Sequence, residues 1–144
     1  MKKTLSPRQV FERSITEKDV VGAIRQLIEA NGAFVDVIVE RIPWGKTTST
    51  PGFPDLVVTF PAGNRCLEGY YITTDLISGI DIPIHGSWPL TAFVEVKRPG
   101  GKHRPAQTRW IEERRRIGAV AFFASSVEEM VAGFKEFGIE IRGL

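Results

Sequence analysis

The sequence has few of the features that would place it outside ordinary globular proteins. A single cysteine, Cys66, excludes an intramolecular disulfide and a cysteine-based zinc cluster. The apolar runs are far too short to span a membrane, and residues 4–7 do not form the apolar core of a signal peptide. Repeats, low-complexity tracts and linkers are also lacking. We therefore expect a single cytoplasmic domain over residues 1–144, large enough to bury its own core.

The net charge of +2 conceals an uneven distribution. Residues 97–116 hold eight of the 19 lysine and arginine residues but only two of the 17 acidic residues. A basic segment on a mildly acidic body favours a polyanionic partner such as nucleic acid. The alternative is a solvated helix face. The run Arg114–Arg116 on its own would not favour a nucleic-acid partner over that alternative.

Capping signals and hydrophobic periodicity divide the chain into helices and strands. Helices are predicted to start at Ser6-Pro7, at the capping box from Thr16 to Asp19, at Pro105 and at the capping box from Ser126 to Glu129. Runs of β-branched and other apolar residues predict strands at 34–40, 55–60, 91–97 and 119–124, with an edge strand at 139–141.

Residues 61–90 have the weakest pattern. Two short strands, at 70–73 and 80–84, suggest a hairpin or an irregular excursion inserted into the domain. Outside this insert, a helix between two strands near the end of the chain suggests a right-handed crossover. The predicted fold class is therefore α/β, a mixed sheet flanked by helices.

Three charged residues begin or end otherwise apolar strands. Asp55 follows Pro54 at the start of one strand, while Glu95 and Lys97 project from the same face of another. A pair of carboxylates is how Mg²⁺ is usually held, and a hard cation would keep both ionised. The alternative is a turn aspartate beside a solvated strand with an ordinary ion pair. The order of these pieces, with a basic glycine-rich loop (residues 98–104, the basic loop) next, favours the metal site.

Two further polar residues accompany this set. Glu17 lies on the apolar face of its helix, so it either complements the positive N-terminal end of the helix or points into a site. Spacing alone leaves these alternatives even. Gln107 is one turn into the helix that follows the basic loop, and only the short connection to Lys97 distinguishes it from a surface glutamine.

Several residues have the chemistry to contact DNA. Those in the basic loop lie near a helix N-terminus, where phosphate groups bind readily, although a solvated role is the more typical one for its histidine. An aromatic and a basic side chain in the loop at 42–52 could stack on a base and pair with a phosphate. The predicted set is Trp44, Lys46, Arg98, Lys102, His103, Arg104 and Arg109.

Pro54-Asp55 followed by Glu95-Val96-Lys97 resembles the signature of the PD-(D/E)xK nucleases. Together with Gly52-Phe53, the 98–102 loop and Gln107, it resembles the virus-type replication-repair nuclease (VRR-Nuc) branch over most of residues 16–137. The resemblance implies a restriction-endonuclease-like fold with an αβββαβ core.

The same resemblance implies metal-dependent hydrolysis of phosphodiester bonds. It implies that Asp55, Glu95 and the Val96 carbonyl bind Mg²⁺, with Mn²⁺ as a substitute, and that Glu17 is a further ligand, direct or through water. Lys97 would orient the attacking water and stabilise developing negative charge, and Gln107 would be an accessory catalytic residue.

Stand-alone members of this branch resemble dimeric endonucleases acting on branched DNA, four-way (Holliday) junctions included. This implies a homodimer with a role in DNA repair, encoded by a bacterium or a phage. The candidate dimer contacts are apolar residues of the insert: Tyr70, Tyr71, Ile72 and Trp88. A non-catalytic DNA-binding module of the same fold, or a nuclease acting on flaps, ends or specific sequences, stays open as an alternative.

Overall fold

A mixed α/β architecture forms in the computed structural model, which describes residues 4–38, 52–73, 81–83 and 88–143. The helices are α1 (Pro7–Ser14), α2 (Glu17–Ala30), α3 (Pro105–Arg116) and α4 (Val127–Glu136), with a 3₁₀ turn at Arg65–Leu67. The strands are β1 (Phe34–Val37), β2 (Leu56–Phe60), β3 (Tyr71–Thr73), β4 (Asp81–Pro83), β5 (Leu90–Val96) and β6 (Val120–Ala124).

The main sheet has the strand order β1-β2-β5-β6. Its first three strands pair antiparallel, whereas β5 and β6 pair parallel through the α3 crossover. The predicted mixed sheet flanked by helices is thereby confirmed. The predicted hairpin also forms, as β3 and β4 pair antiparallel in a separate sheet.

Strand alternation separates two apolar layers. Leu56, Val58 and Phe60 of β2 belong, with alternate residues of β5 and β6, to a large core that also takes in α2 and α4. The other face meets α3, where Trp110 and Ile111 pack with Ala121, Phe53, Phe93 and Phe123. Since side chains alternate along a strand, Glu95 projects to the same side as Phe93, towards α3.

Residues 65–70 differ from the irregular excursion expected across residues 61–90, because they pack into the core. Cys66, Leu67 and Tyr70 are buried in the large core, and the Cys66 carbonyl accepts a hydrogen bond from the Glu140 amide. This part of the insert is therefore a component of the hydrophobic core. Tyr70 is only 6% exposed, so it packs inside its own chain and is excluded as a dimer contact.

The edge strand predicted at 139–141 is wrong. Ile139 and Ile141 are buried, which accounts for the alternating pattern, but the residues form no strand. The first strand is also shorter than predicted, because it ends at Val37. No helix within the described part of the chain combines the length and the apolarity needed to cross a bilayer.

The capping residues behave as the sequence predicts. Ser6 and Gln9 cap α1 reciprocally, with hydrogen bonds of 3.0 and 3.3 Å. Thr16 and Asp19 do the same for α2, through bonds of 2.8 and 3.2 Å. These caps fix where α2 begins, and they place Glu17 in its first turn.

Candidate active site

The register of β2 against β5 brings the two predicted carboxylates together. Leu56 lies opposite Val94, so one further step along this antiparallel pair places Asp55 opposite Glu95. The Asp55 carboxylate replaces the next ladder bond, as its Oδ2 accepts from the Val96 amide at 3.0 Å. This hydrogen bond to the backbone of β5 therefore fixes the direction of the Asp55 carboxylate just before β2 begins.

Glu95 is the centre of a small polar cluster. Its side chain is 1% exposed, and its Oε1 lies 2.8 Å from the Nζ of Lys97, which is itself buried. The same oxygen accepts a hydrogen bond from the Gln107 side-chain amide. The structure therefore brings Asp55, Glu95, Lys97 and Gln107 into one constellation. Their individual roles remain predictions.

Gln107 has a second contact that explains its position. Its Oε1 accepts from the Arg104 amide at 3.1 Å, which caps the first turn of α3. Arg104, the N-cap residue, has no side-chain oxygen that could accept from the first backbone amides of α3. The helix therefore has only the other hydrogen bond of a capping box, the one from the N-cap amide to the Gln107 side chain. One amide side chain thus ties the start of α3 to Glu95.

Burial raises the pKa of both carboxyl groups. Desolvation raises the pKa of Glu95 to about 7, against the partial compensation that Lys97 provides. Desolvation also raises the pKa of Asp55, although the Val96 amide and Lys97 oppose the shift. The neighbouring Asp55 charge also raises the pKa of Glu95, whereas a hydrogen bond with Glu95 lowers the pKa of Asp55. The cluster has more negative charge than its one lysine neutralises.

This donor set fits a hard divalent cation. Glu95 Oε2 is buried and has no hydrogen-bond partner among the described residues, so one lone-pair site is open beside Asp55. Carboxylate oxygens are the ligands that Mg²⁺ and Mn²⁺ prefer, and Mg²⁺ commonly takes only one or two of them. Within the described ranges, no three His, Cys, Asp or Glu side chains come close enough to hold an ion together. Asp55 and Glu95 are therefore the two side chains of the described residues that we consider as ligands for the cation.

Glu17 lies outside that pair. It is exposed in the first turn of α2, yet its charge contributes to raising the pKa of Asp55. It is thus close enough to act on the site electrostatically without completing a cluster of three acids. Whether it binds a metal through water stays a prediction.

Comparison with known proteins identifies the family. The model of the VRR-NUC domain family matches residues 38–128, which is more than half of the chain. The chain belongs to the VRR-NUC family. A solved structure titled "VRR_NUC domain" is 23% identical, with a TM-score of 0.47, and the alignment covers 85% of this chain and 99% of that one. Curated proteins gave no match. The VRR-NUC domain is a nuclease-type domain, and the predicted family resemblance is confirmed.

The VRR-NUC segment includes a close approach that the sequence motif does not reveal. Gly52 has a φ of +84°, and a Cβ built there would collide with the Ala106 carbonyl in the first turn of α3. Glycine is required on both counts. The turn that leads into Asp55 is thereby packed directly on the helix that carries Gln107.

A stacked aromatic pair supports the basic loop of this VRR-NUC domain. The His103 ring lies 3.8 Å from that of Phe123, with an interplanar angle of 5°. Phe123 is opposite Glu95 in the β5–β6 pairing. His103, predicted as a DNA contact, is thus also a packing residue. Sequence reasoning missed Phe123, which the period-two alternation of β6 would have placed on the α3 side.

The basic segment divides into two parts. Arg98, Lys102, Arg104 and Arg109 are exposed and make no ion pair within the described residues. Two of the later arginines, Arg114 and Arg115, are engaged within the molecule. Arg114 lies 4.8 Å from the Trp110 ring centroid, while Arg115 pairs with Glu136 at 3.3 Å. The N-terminal part is therefore the freer cationic surface. Trp44 and Lys46 lie outside the described residues.

Proposed function

We propose that this VRR-NUC domain is a metal-dependent endonuclease that cuts branched DNA, four-way junctions in particular, as a homodimer. The observation that carries the proposal is the Asp55–Glu95 pair, with Lys97 on the same carboxylate and one buried oxygen left open. A divalent cation at that oxygen would lower the pKa of a water and act as a Lewis acid on the phosphodiester. Mg²⁺ is the proposed ion, and Mn²⁺ a substitute.

Lys97 is proposed to have two roles, one before and one after the substrate binds. Without substrate its ammonium group neutralises Glu95, 2.8 Å away. With a phosphodiester in place, the same group would orient the attacking water and stabilise the negative charge that develops on the phosphoryl oxygens. Its burial supports the second role, because water screens a charge less in such a place.

Gln107 is proposed to orient the carboxylate rather than to move a proton. It donates to Glu95 Oε1 while the Arg104 amide donates to it, so the Glu95 side chain has one preferred direction. The oxygen that remains, Oε2, is the one offered to a cation. Asp55 and the Val96 carbonyl would complete the protein ligands, with Glu17 reaching the site through water.

The substrate is proposed from charge and symmetry. The exposed cations Arg98, Lys102, Arg104 and Arg109 border the acidic pair in the chain and suit a phosphate backbone. A four-way junction needs two symmetric cuts, and a two-fold dimer would supply two sites. The proposed setting is DNA repair in a bacterial or phage-infected cell.

A substrate panel tests this proposal. A labelled four-way junction, its constituent duplex, a flap and a single-ended duplex are each incubated with the wild-type protein, with Mg²⁺ or with EDTA. We expect Mg²⁺-dependent cuts that are most rapid on the junction. Faster cutting of flaps or ends would replace the substrate assignment, and binding without any cutting would identify a non-catalytic module.

A further inference from the structure

Helix α1 has no evident role in stabilising the fold. None of its eight residues is buried, and its two apolar residues, Val10 and Phe11, are 54% and 68% exposed. Most helical stability in proteins comes from packing of an apolar face, and isolated helices of this length are marginal in water. It also lies outside residues 38–128, which the VRR-NUC family model matches.

A cavity of about 520 Å³ lies between α1 and the turn that follows β5. One wall is formed by Leu5 and the α1 residues Gln9, Glu12 and Arg13, and the other by Arg98–Gly100. Arg98 is the residue directly after Lys97, the proposed catalytic lysine. Its volume is within the usual range for ligand sites, about 300–1,000 Å³.

The charges in this cavity favour an anion. Arg13 and Arg98 are exposed and form no ion pair within the described ranges. The single acid in the lining, Glu12, is bound by Arg8 at 2.9 Å, and Arg8 is not itself a lining residue. The lining therefore contains two arginines, one on α1 and one in the turn after β5, while its one carboxylate is already paired with Arg8.

We propose that this cavity binds a backbone phosphate of the DNA strand, one that flanks the bond to be cut. Arginine offers planar, forked donors that match phosphate oxygens, and two of them on separate walls would hold one phosphate from both sides. The role of α1 is then to carry Arg13, and the helix forms a DNA clamp with the loop after β5. The inference rests on the proposed function, and it adds a substrate subsite whose α1 wall lies outside the family segment while its Arg98 wall lies within it.

The test measures binding to a four-way junction against salt concentration, in EDTA so that no cutting occurs. Arg13→Gln should reduce the slope of log K against log salt by about one and weaken binding on the order of ten-fold at low salt. Glu12→Gln should have the opposite effect and tighten binding, because it removes the only acid from the lining and releases Arg8 from its ion pair. Opposite signs from neighbouring residues cannot result from loss of the helix.

A matched pair on α2 supplies the control. Arg25 and Glu29 form an exposed i,i+4 ion pair at 2.7 Å, as Arg8 and Glu12 do on α1, and neither lines the cavity. Arg25→Gln and Glu29→Gln make the same charge changes, and we expect junction affinity within about two-fold of wild type. Salt slopes for Arg13→Gln and Arg25→Gln that coincide would overturn the subsite alone. A wild-type protein that neither binds nor cuts DNA would overturn the subsite and the proposed function together.

Discussion

At the scale of single residues, Glu95 combines near-complete burial with an ionisable group. The open Oε2 and the raised pKa have the same cause, a carboxylate withdrawn from water beside another carboxylate. Such groups cluster at functional sites, because a bound cation or a reaction step supplies what the fold does not. Lys97 and Gln107 share one oxygen of this carboxylate and leave the other free.

The raised pKa predicts a particular dependence of stability on pH. The unfolded chain loses the Glu95 proton near pH 4.5, whereas the folded protein keeps it until pH about 7. Between these values the folded state binds more protons, so the free energy of unfolding contributed by this group falls as the pH rises. The upward shift of the Asp55 pKa acts in the same direction.

Glu95→Gln should remove most of this dependence. Urea unfolding in EDTA, from about pH 5 to about pH 8, should show wild type losing stability relative to the variant as the pH rises. The cost of leaving Lys97 without a partner is constant over this range, so it shifts the curve without changing its slope. Glu29→Gln, at an exposed site, is the control. Parallel curves for wild type and Glu95→Gln would contradict the assignment.

Glu17 gives a second residue-level prediction. If it reaches a metal through water, Glu17→Gln should weaken Mg²⁺ binding measured by calorimetry and slow cleavage. As a purely dipolar residue it would instead cost about 0.3–1 kcal/mol of stability and leave both unchanged. We expect the first result, because the Glu17 charge already reaches Asp55. Thermal melts beside the calorimetry separate the two cases.

The sequence predicted the pairing of Asp55 with Glu95–Lys97, since motif order and strand alternation determine it. It did not predict that Asp55 binds the Val96 amide or that Gln107 both caps α3 and holds Glu95. Those contacts depend on how α3 sits on the sheet, and that is a matter of tertiary packing. The same holds for the stack of His103 on Phe123.

At the scale of elements, the turn before β2 and the start of α3 form one unit. Gly52 lies against the Ala106 carbonyl, Phe53 packs edge-on to Trp110 with centroids 5.4 Å apart, and Asp55 follows. The position of the carboxylates proposed to bind metal is therefore coupled to the position of α3.

Gly52→Ala should disturb this unit. The substitution adds a Cβ where φ is +84° and where the Ala106 carbonyl leaves no room, so we expect a loss of about 1–3 kcal/mol and slower cleavage. Gly22→Ala in α2 is the matched control, since a Cβ there meets no atom within 4 Å. It should stabilise the protein by about 1 kcal/mol. Equal melting temperatures for the two variants would argue against the coupling.

The elements that the sequence placed wrongly share a physical cause. Ile139 and Ile141 alternate with polar residues because both are buried, yet the stretch forms no strand pairing. Its Glu140 amide donates to the Cys66 carbonyl and its Ile139 amide to the Phe134 carbonyl. Alternation reports burial, whereas a strand also needs a neighbour to pair with. The sequence did not predict that Cys66, Leu67 and Tyr70 are buried. Three apolar residues in an irregular segment show no helical or strand periodicity, so the pattern did not indicate their burial.

At the scale of the whole molecule, exposed apolar side chains suggest a partner surface. Trp88, in the segment proposed for dimer contacts, is 68% exposed, and the edge strand β1 exposes Phe34 at 65%. With Tyr70 assigned to the core, Trp88 is the remaining member of the proposed contact set whose side-chain exposure the structure describes. We expect the protein to be a dimer by light scattering at micromolar concentration.

Trp88→Glu should weaken that dimer, because it puts a charge into an apolar contact, and Ile117→Glu is the control. Ile117 is 75% exposed and caps the C-terminus of α3, at the opposite end of the helix from the basic loop. A wild-type monomer at all accessible concentrations would contradict the dimer while leaving the active site in place.

The most direct measurement of the central claim is single-turnover cleavage of a four-way junction by wild type and by Lys97→Ala, each with Mg²⁺ and with EDTA. We expect Mg²⁺-dependent cutting by wild type, a rate lower by a factor of about 10²–10³ for Lys97→Ala, and junction binding by the variant close to that of wild type. Wild-type rates from Lys97→Ala, or cutting that persists in EDTA, would contradict that claim.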